Sequence, residues 1–151
     1  MTKLYRTEAE IERIAQGVRE RWLPKPEWTH GAHFAATLWL LRHRPEPPLE
    51  TALPPLIRAY NAATGVPNTD TEGYHETITL ASIAAARAFL AAEAADLPLH
   101  EALDRLMAGR LGCSGWPLAF WSKGRLFSAE ARRAWVEPDL APFDPEQLGY
   151  R

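Results

Sequence analysis

Proline placement constrains this chain more than any other feature. Thirteen prolines cut it into segments, and within the segments apolar residues recur at three- and four-residue steps. Proline breaks a helix interior but is tolerated in a first turn, so the runs between prolines read as separate helices. Thr7 and Glu10 form a capping box, after which Ile11, Ile14, Ala15, Val18 and Trp22 mark one face of a first helix ending before Pro24. Thr29 caps a second helix that runs to about His43 and stops before Pro45. Pro54 and Pro55 place the start of a third helix, which ends at Gly65. A polar loop to Thr71 leads into an alanine-rich helix from about Glu72 to Ala95, apolar over most of its circumference and therefore central. Pro98 opens a fifth helix, Pro117–Trp121 forms a short sixth element, and Ser128 caps a last helix through about Trp135. Pro138, Pro142 and Pro145 keep the 136–151 tail extended. There is no period-2 alternation and no internal repeat. The chain is expected to be an all-α bundle of five to seven helices, with 1–151 as a single domain.

Composition removes several function classes. A chain of 151 residues can bury roughly two-thirds of its unfolded surface in one core. The net charge is −2, with no basic block or stripe, which argues against a nucleic-acid partner. Cys113 is the only cysteine, so neither a disulfide framework nor a thiolate zinc cluster is expected. The start, Met1 to Arg6, lacks the apolar core of a signal peptide. The longest apolar stretches, around Phe34–Leu41 and Leu80–Ala95, are too short or carry Arg87 and Glu93, so no membrane span is expected. A cytoplasmic protein is the resulting expectation. Its oligomeric state stays open, a homodimer included. The six tryptophans serve most simply as core and rim anchors, although Trp116 and Trp121 with Arg125 would also suit a pocket wall.

Three histidines carry the functional expectation. His30 and His33 make an H-x-x-H pair on the second helix, and His75 lies in the first turn of the long helix. Projected at about 100° per residue, each imidazole falls on the apolar side of its own helix. Thr79, Ser82 and Ala86 flank His75 and leave room for an ion, a water or a ligand. Burial and the positive helix start both oppose an imidazolium, so these rings should be neutral near pH 7. Neutral imidazoles are common ligands of divalent transition metals. His30, His33 and His75 are therefore candidate ligands for a Zn, Fe or Ni ion, with Glu76 as general base or as an orienter of an imidazole. Tyr74, Thr79 and Asn68 are candidate small-molecule contacts. Glu72-x-x-His75 has a di-iron spacing, but no second such pair accompanies it.

The plainer alternative is that each histidine satisfies buried polar groups. His43, beside Arg42 and Arg44, reads as a helix C-terminal cap, His100 as solvent-facing and Cys113 as a packed small residue. Three readings of function follow. One is a metal-dependent hydrolase or non-haem oxygenase acting on a small molecule. The second is a non-enzymatic module binding a small polar or anionic ligand through neutral histidines and Asn68. The third is a structural or partner-binding helical protein.

The runs Trp28-Thr29-His30-Gly31-Ala32-His33, Asn61 to Thr69 and Gly73-Tyr74-His75-Glu76-Thr77-Ile78-Thr79, with Arg125 to Ser128 and Trp135 to Leu140, carry a resemblance. They resemble a family of short uncharacterised bacterial α-helical proteins, over most of the chain from Trp28 to Leu140. The resemblance implies a bacterial source and a helical fold, and it supplies no substrate.

Overall fold

Seven α-helices make up the main regular structure of residues 4–148, which the computed structural model describes, and no strand occurs among them. They are α1 (Glu8–Arg19), α2 (His30–His43), α3 (Leu49–Ala63), α4 (Glu76–Ala92), α5 (Leu99–Ala108), α6 (Lys123–Leu126) and α7 (Ala129–Arg133). Short 3-10 turns lie at Lys25–Glu27, Arg110–Gly112, Trp116–Ala119 and Pro145–Gln147. None of the described helices is long and apolar enough to cross a membrane.

The buried axis is α2. It packs on α1, α4 and α5, and Ala32, Phe34, Ala35, Ala36, Leu38, Trp39 and Leu40 are all buried. Small residues at 31, 32, 35 and 36 let neighbouring helices approach. α4 runs beside it, packing on α2, α3 and α7. The segment after α5 is held together by aromatic contacts among Trp116, Phe120, Trp121 and Phe143, and it packs on the bundle through α7 and the 145–147 turn against α4. Trp121 is fully buried and donates Nε1–H to Val136 O at 2.9 Å. From 136 to 148 the chain forms no α-helix, only the short turn at Pro145–Gln147, and it is anchored by buried Val136 and Leu148.

Capping residues set several helix starts as read from sequence. Thr7, Thr29 and Ser128 accept from the backbone N–H of Glu10, Ala32 and Ala131. Other boundaries differ for physical reasons. α1 ends at Arg19 because Arg21 takes a left-handed φ of 65°. Leu23, 1% exposed, folds back against Gly17, while Trp22 is left 48% exposed rather than on the inner face. α3 begins at Leu49 and carries Pro54 and Pro55 inside it. Each interior proline costs about 3 kcal/mol, but Leu49 and Leu53 are almost wholly buried, contributing about 1.5–3 kcal/mol apiece. Glu50 also reaches Arg87 of α4 at 2.8 Å. α4 begins at Glu76, not near Glu72, because Gly73 takes a φ of +84° and turns the chain. Glu72 is therefore an exposed loop residue, and the di-iron spacing has no helix beneath it. Cys113 is exposed rather than packed, and Trp135 lies partly exposed at the rim against Trp121 and Phe143. His100 pairs with Glu8, Nδ1 to Oε1 at 2.7 Å, instead of facing solvent alone.

Candidate functional site

A cavity of about 340 Å³ opens between the 25–28 turn, α2, α3, the 65–75 loop and the start of α4. The turn gives Lys25 and Trp28, and α2 gives His33, Ala36 and Thr37. α3 gives Leu53, Ile57, Tyr60, Asn61 and Thr64 along one stripe, the spacing of a single helix face. Loop and α4 close the far side with Val66, Gly73, Tyr74, His75, Ile78, Thr79 and Ser82.

The loop is held by Asn68. Its Oδ1 accepts from Asn61 Nδ2 at 3.1 Å and from Tyr74 N–H at 3.0 Å, and its Nδ2 donates to Arg58 O at 3.1 Å. Gly73 must be a glycine here: a Cβ would sit 2.3 Å from Pro67 O. From α7, Arg132 Nη1 donates to Gly73 O at 3.2 Å and Arg133 pairs with Asp70. Asn68 is thus the loop's internal clasp and does not line the cavity.

His75 is the N-cap of α4. Its Nδ1 accepts from Ile78 N–H at 3.1 Å, which places the ring proton on Nε2, and Nε2 donates to Leu126 O at 2.6 Å. Burial lowers the pKa of this imidazole, against the opposing pull of the Leu126 bond, and the Arg132 charge lowers it further. Both nitrogens are spent on backbone.

His30 is turned to another part of the fold. Its Nε2 donates to Leu111 O at 2.7 Å, and its ring meets the edge of Phe34, away from the cavity. The structure therefore brings His33 and His75 to one cavity and sends His30 elsewhere. The expected set of His30, His33 and His75 does not converge on an ion. Among the described residues no group of three or more His, Cys, Asp or Glu side chains is placed to hold one.

His33 is different from both. Its ring packs edge-on to Trp28, centroids 3.9 Å apart, and no hydrogen bond among the described residues reaches either ring nitrogen. His33 as a residue is exposed, opening to solvent through the cavity, although much protein lies near the ring. Burial, with a smaller contribution from His30, pushes its pKa from 6.5 to about 4. At neutral pH it is an uncharged imidazole offering one N–H and one lone pair to the cavity.

Glu76, the candidate base, lies outside the cavity wall and accepts a short hydrogen bond from the Tyr74 hydroxyl. Tyr74 is buried, and burial together with that carboxylate raises its pKa well above the ordinary phenol value. The Arg58 guanidinium covers its ring at 4.8 Å. Tyr74 and Thr79 do line the cavity.

Sequence reasoning passed over Asn61, Trp28, Tyr60 and Lys25. The sign was present for one of them: Asn61 interrupts the apolar series Leu53, Ile57, Tyr60 at the next inward position. Its Nδ2 holds Asn68, and no donor among the described residues reaches its Oδ1. No Asp or Glu lines the cavity, and Lys25, exposed, is its one formally charged wall residue. No known protein family, characterised protein or solved structure matches this chain.

Proposed function

We propose that this protein binds a small organic molecule in the cavity between α2, α3 and α4. One observation carries the reading: His33, with neither ring nitrogen hydrogen-bonded among the described residues, opens onto a mostly apolar cavity. Water meets an exposed ring nitrogen, and a ligand that takes over that hydrogen bond while burying an apolar body against the walls gains affinity. Asn61 Oδ1 offers a second open acceptor on the adjoining wall. A cavity of about 150 Å³ holds benzene, so this one suits a body of one to two rings with a polar end. A metal ion held by the three histidines is not part of this reading, because His30 turns to Leu111 away from the cavity and both His75 nitrogens are bonded to backbone.

The test is a screen of small aromatic and aliphatic compounds by ligand-observed NMR, repeated on His33→Leu. Compounds that bind the unaltered protein and lose affinity in His33→Leu support the reading. A screen without any binder, or binders indifferent to both His33→Leu and Asn61→Leu, would overturn it.

A further inference from the structure

The wall chemistry narrows the ligand further. We infer that the cavity selects a small carboxylic acid in its anionic form, with the apolar body inside and the carboxylate between Lys25 and His33. This rests on the cavity being a small-molecule site at all.

Charge gives the first reason. A cationic ligand would find no carboxylate on the wall, whereas an anion finds the Lys25 ammonium, which pairs with no acidic side chain among the described residues. Position gives the second. Lys25 and Trp28 belong to one turn, closed by Trp28 N–H donating to Lys25 O at 3.0 Å. Trp28 in turn lies against His33, so the turn that carries Lys25 borders the part of the cavity wall that carries His33. The nearest acid, Glu27, is taken up by Arg13 at 2.5 Å and does not compete for Lys25. Away from that side the walls are Leu53, Ile57, Val66 and Ile78, which suit a hydrocarbon or aryl body. A carboxylate fits a fixed N–H beside an ammonium because each contact is charge-assisted.

Isothermal titration with three matched sets tests this: phenylacetate, 4-phenylbutyrate and indole-3-acetate, each beside its primary amide, with phenethylamine as the cation. The acids should bind about tenfold or more tightly than their amides, the worth of one charge-assisted contact. Lys25→Met should bring each acid down to its amide, while Lys123→Met leaves it unchanged. Amides binding as well as acids, or phenethylamine binding best, overturns the acid assignment and leaves the cavity reading standing. If no compound of any set binds, both fall.

Discussion

His75 and Leu126 are joined across 51 positions by a single 2.6 Å hydrogen bond from Nε2–H to the carbonyl. The other nitrogen of the same ring caps α4 through Ile78 N–H. One neutral imidazole thus pins the start of the cavity's fourth wall to the wrapping C-terminal segment. Adding a proton to Nδ1 would set two donors against each other and break the cap.

Stability should therefore depend on pH in a definite direction. The folded pKa of His75 and of His33 lies below 6.5, so the unfolded chain binds these protons first. Their contribution is fully present above the unfolded value, about 6.5, and is lost as pH falls from there toward the folded values. The carboxylates with lowered pKa, Glu8 and Glu50, add their own loss only below 4.5. Urea unfolding at stepped pH should show the midpoint dropping between neutrality and about pH 5, with a shallower drop in His75→Asn, which keeps a capping oxygen. A midpoint that holds level or rises over that range contradicts the neutral His75 cap.

The two positive-φ glycines should respond unequally. Gly65 has a φ of +82° with open space around it, while Gly73 at +84° has Pro67 O where a Cβ would go. Gly65→Ala carries only the left-handed penalty, about 1–2 kcal/mol. Gly73→Ala adds a backbone collision and should displace the Asn68 clasp, costing more and enlarging the cavity mouth. Chemical denaturation of both variants checks the order, and equal losses would show that the 65–75 loop yields freely.

How much of this was legible depends on how far apart the cooperating residues lie. The caps at Thr7, Thr29 and Ser128 act within three positions, and the sequence shows them directly. Periodicity puts His33 on the apolar side of α2, and in the structure it lines the cavity while staying exposed. The start of α4 was not legible, because the turn at Gly73 is set by Pro67 and Asn68 packing against it. Nor was the start of α3, where buried Leu49 and Leu53 lie on helical turns ahead of Pro54 and Pro55. The histidine partners were hidden most deeply. Periodicity says that His30 and His75 face inward, but the carbonyls that consume them come from Leu111 and Leu126, contacts no local pattern encodes.

Thr77 should prove one of the least replaceable polar residues. It is fully buried; its hydroxyl lies 2.8 Å from Ala131 O and 2.9 Å from Ala134 O, and it accepts from Val136 N–H at 3.2 Å. Thr77→Val keeps the shape and strands backbone groups of α7 and the strap, so a loss of about 2–4 kcal/mol is expected. Thr77→Ser should recover most of it. Near-UV circular dichroism should register the same loosening, since Trp121 and Trp135 are packed at 5.5 Å just beyond. A Thr77→Val protein as stable as the parent would mean that the strap docks through its apolar contacts alone.

His33 should stay uncharged well below the pH at which an ordinary imidazole protonates. Its pKa is depressed to about 4 first by burial and second by His30, and the Trp28 edge at 3.9 Å supplies part of that enclosure. Carbon-detected NMR titration of the histidine rings should give one midpoint near that value. Trp28→Ala lets water to the ring and should raise the midpoint toward 6.5, whereas His30→Gln removes only the weaker repulsion and should move it less. If His33 in the unaltered protein titrates at or above about 6, protein does not enclose the ring. The uncharged anchor on which ligand recognition is argued would then be gone.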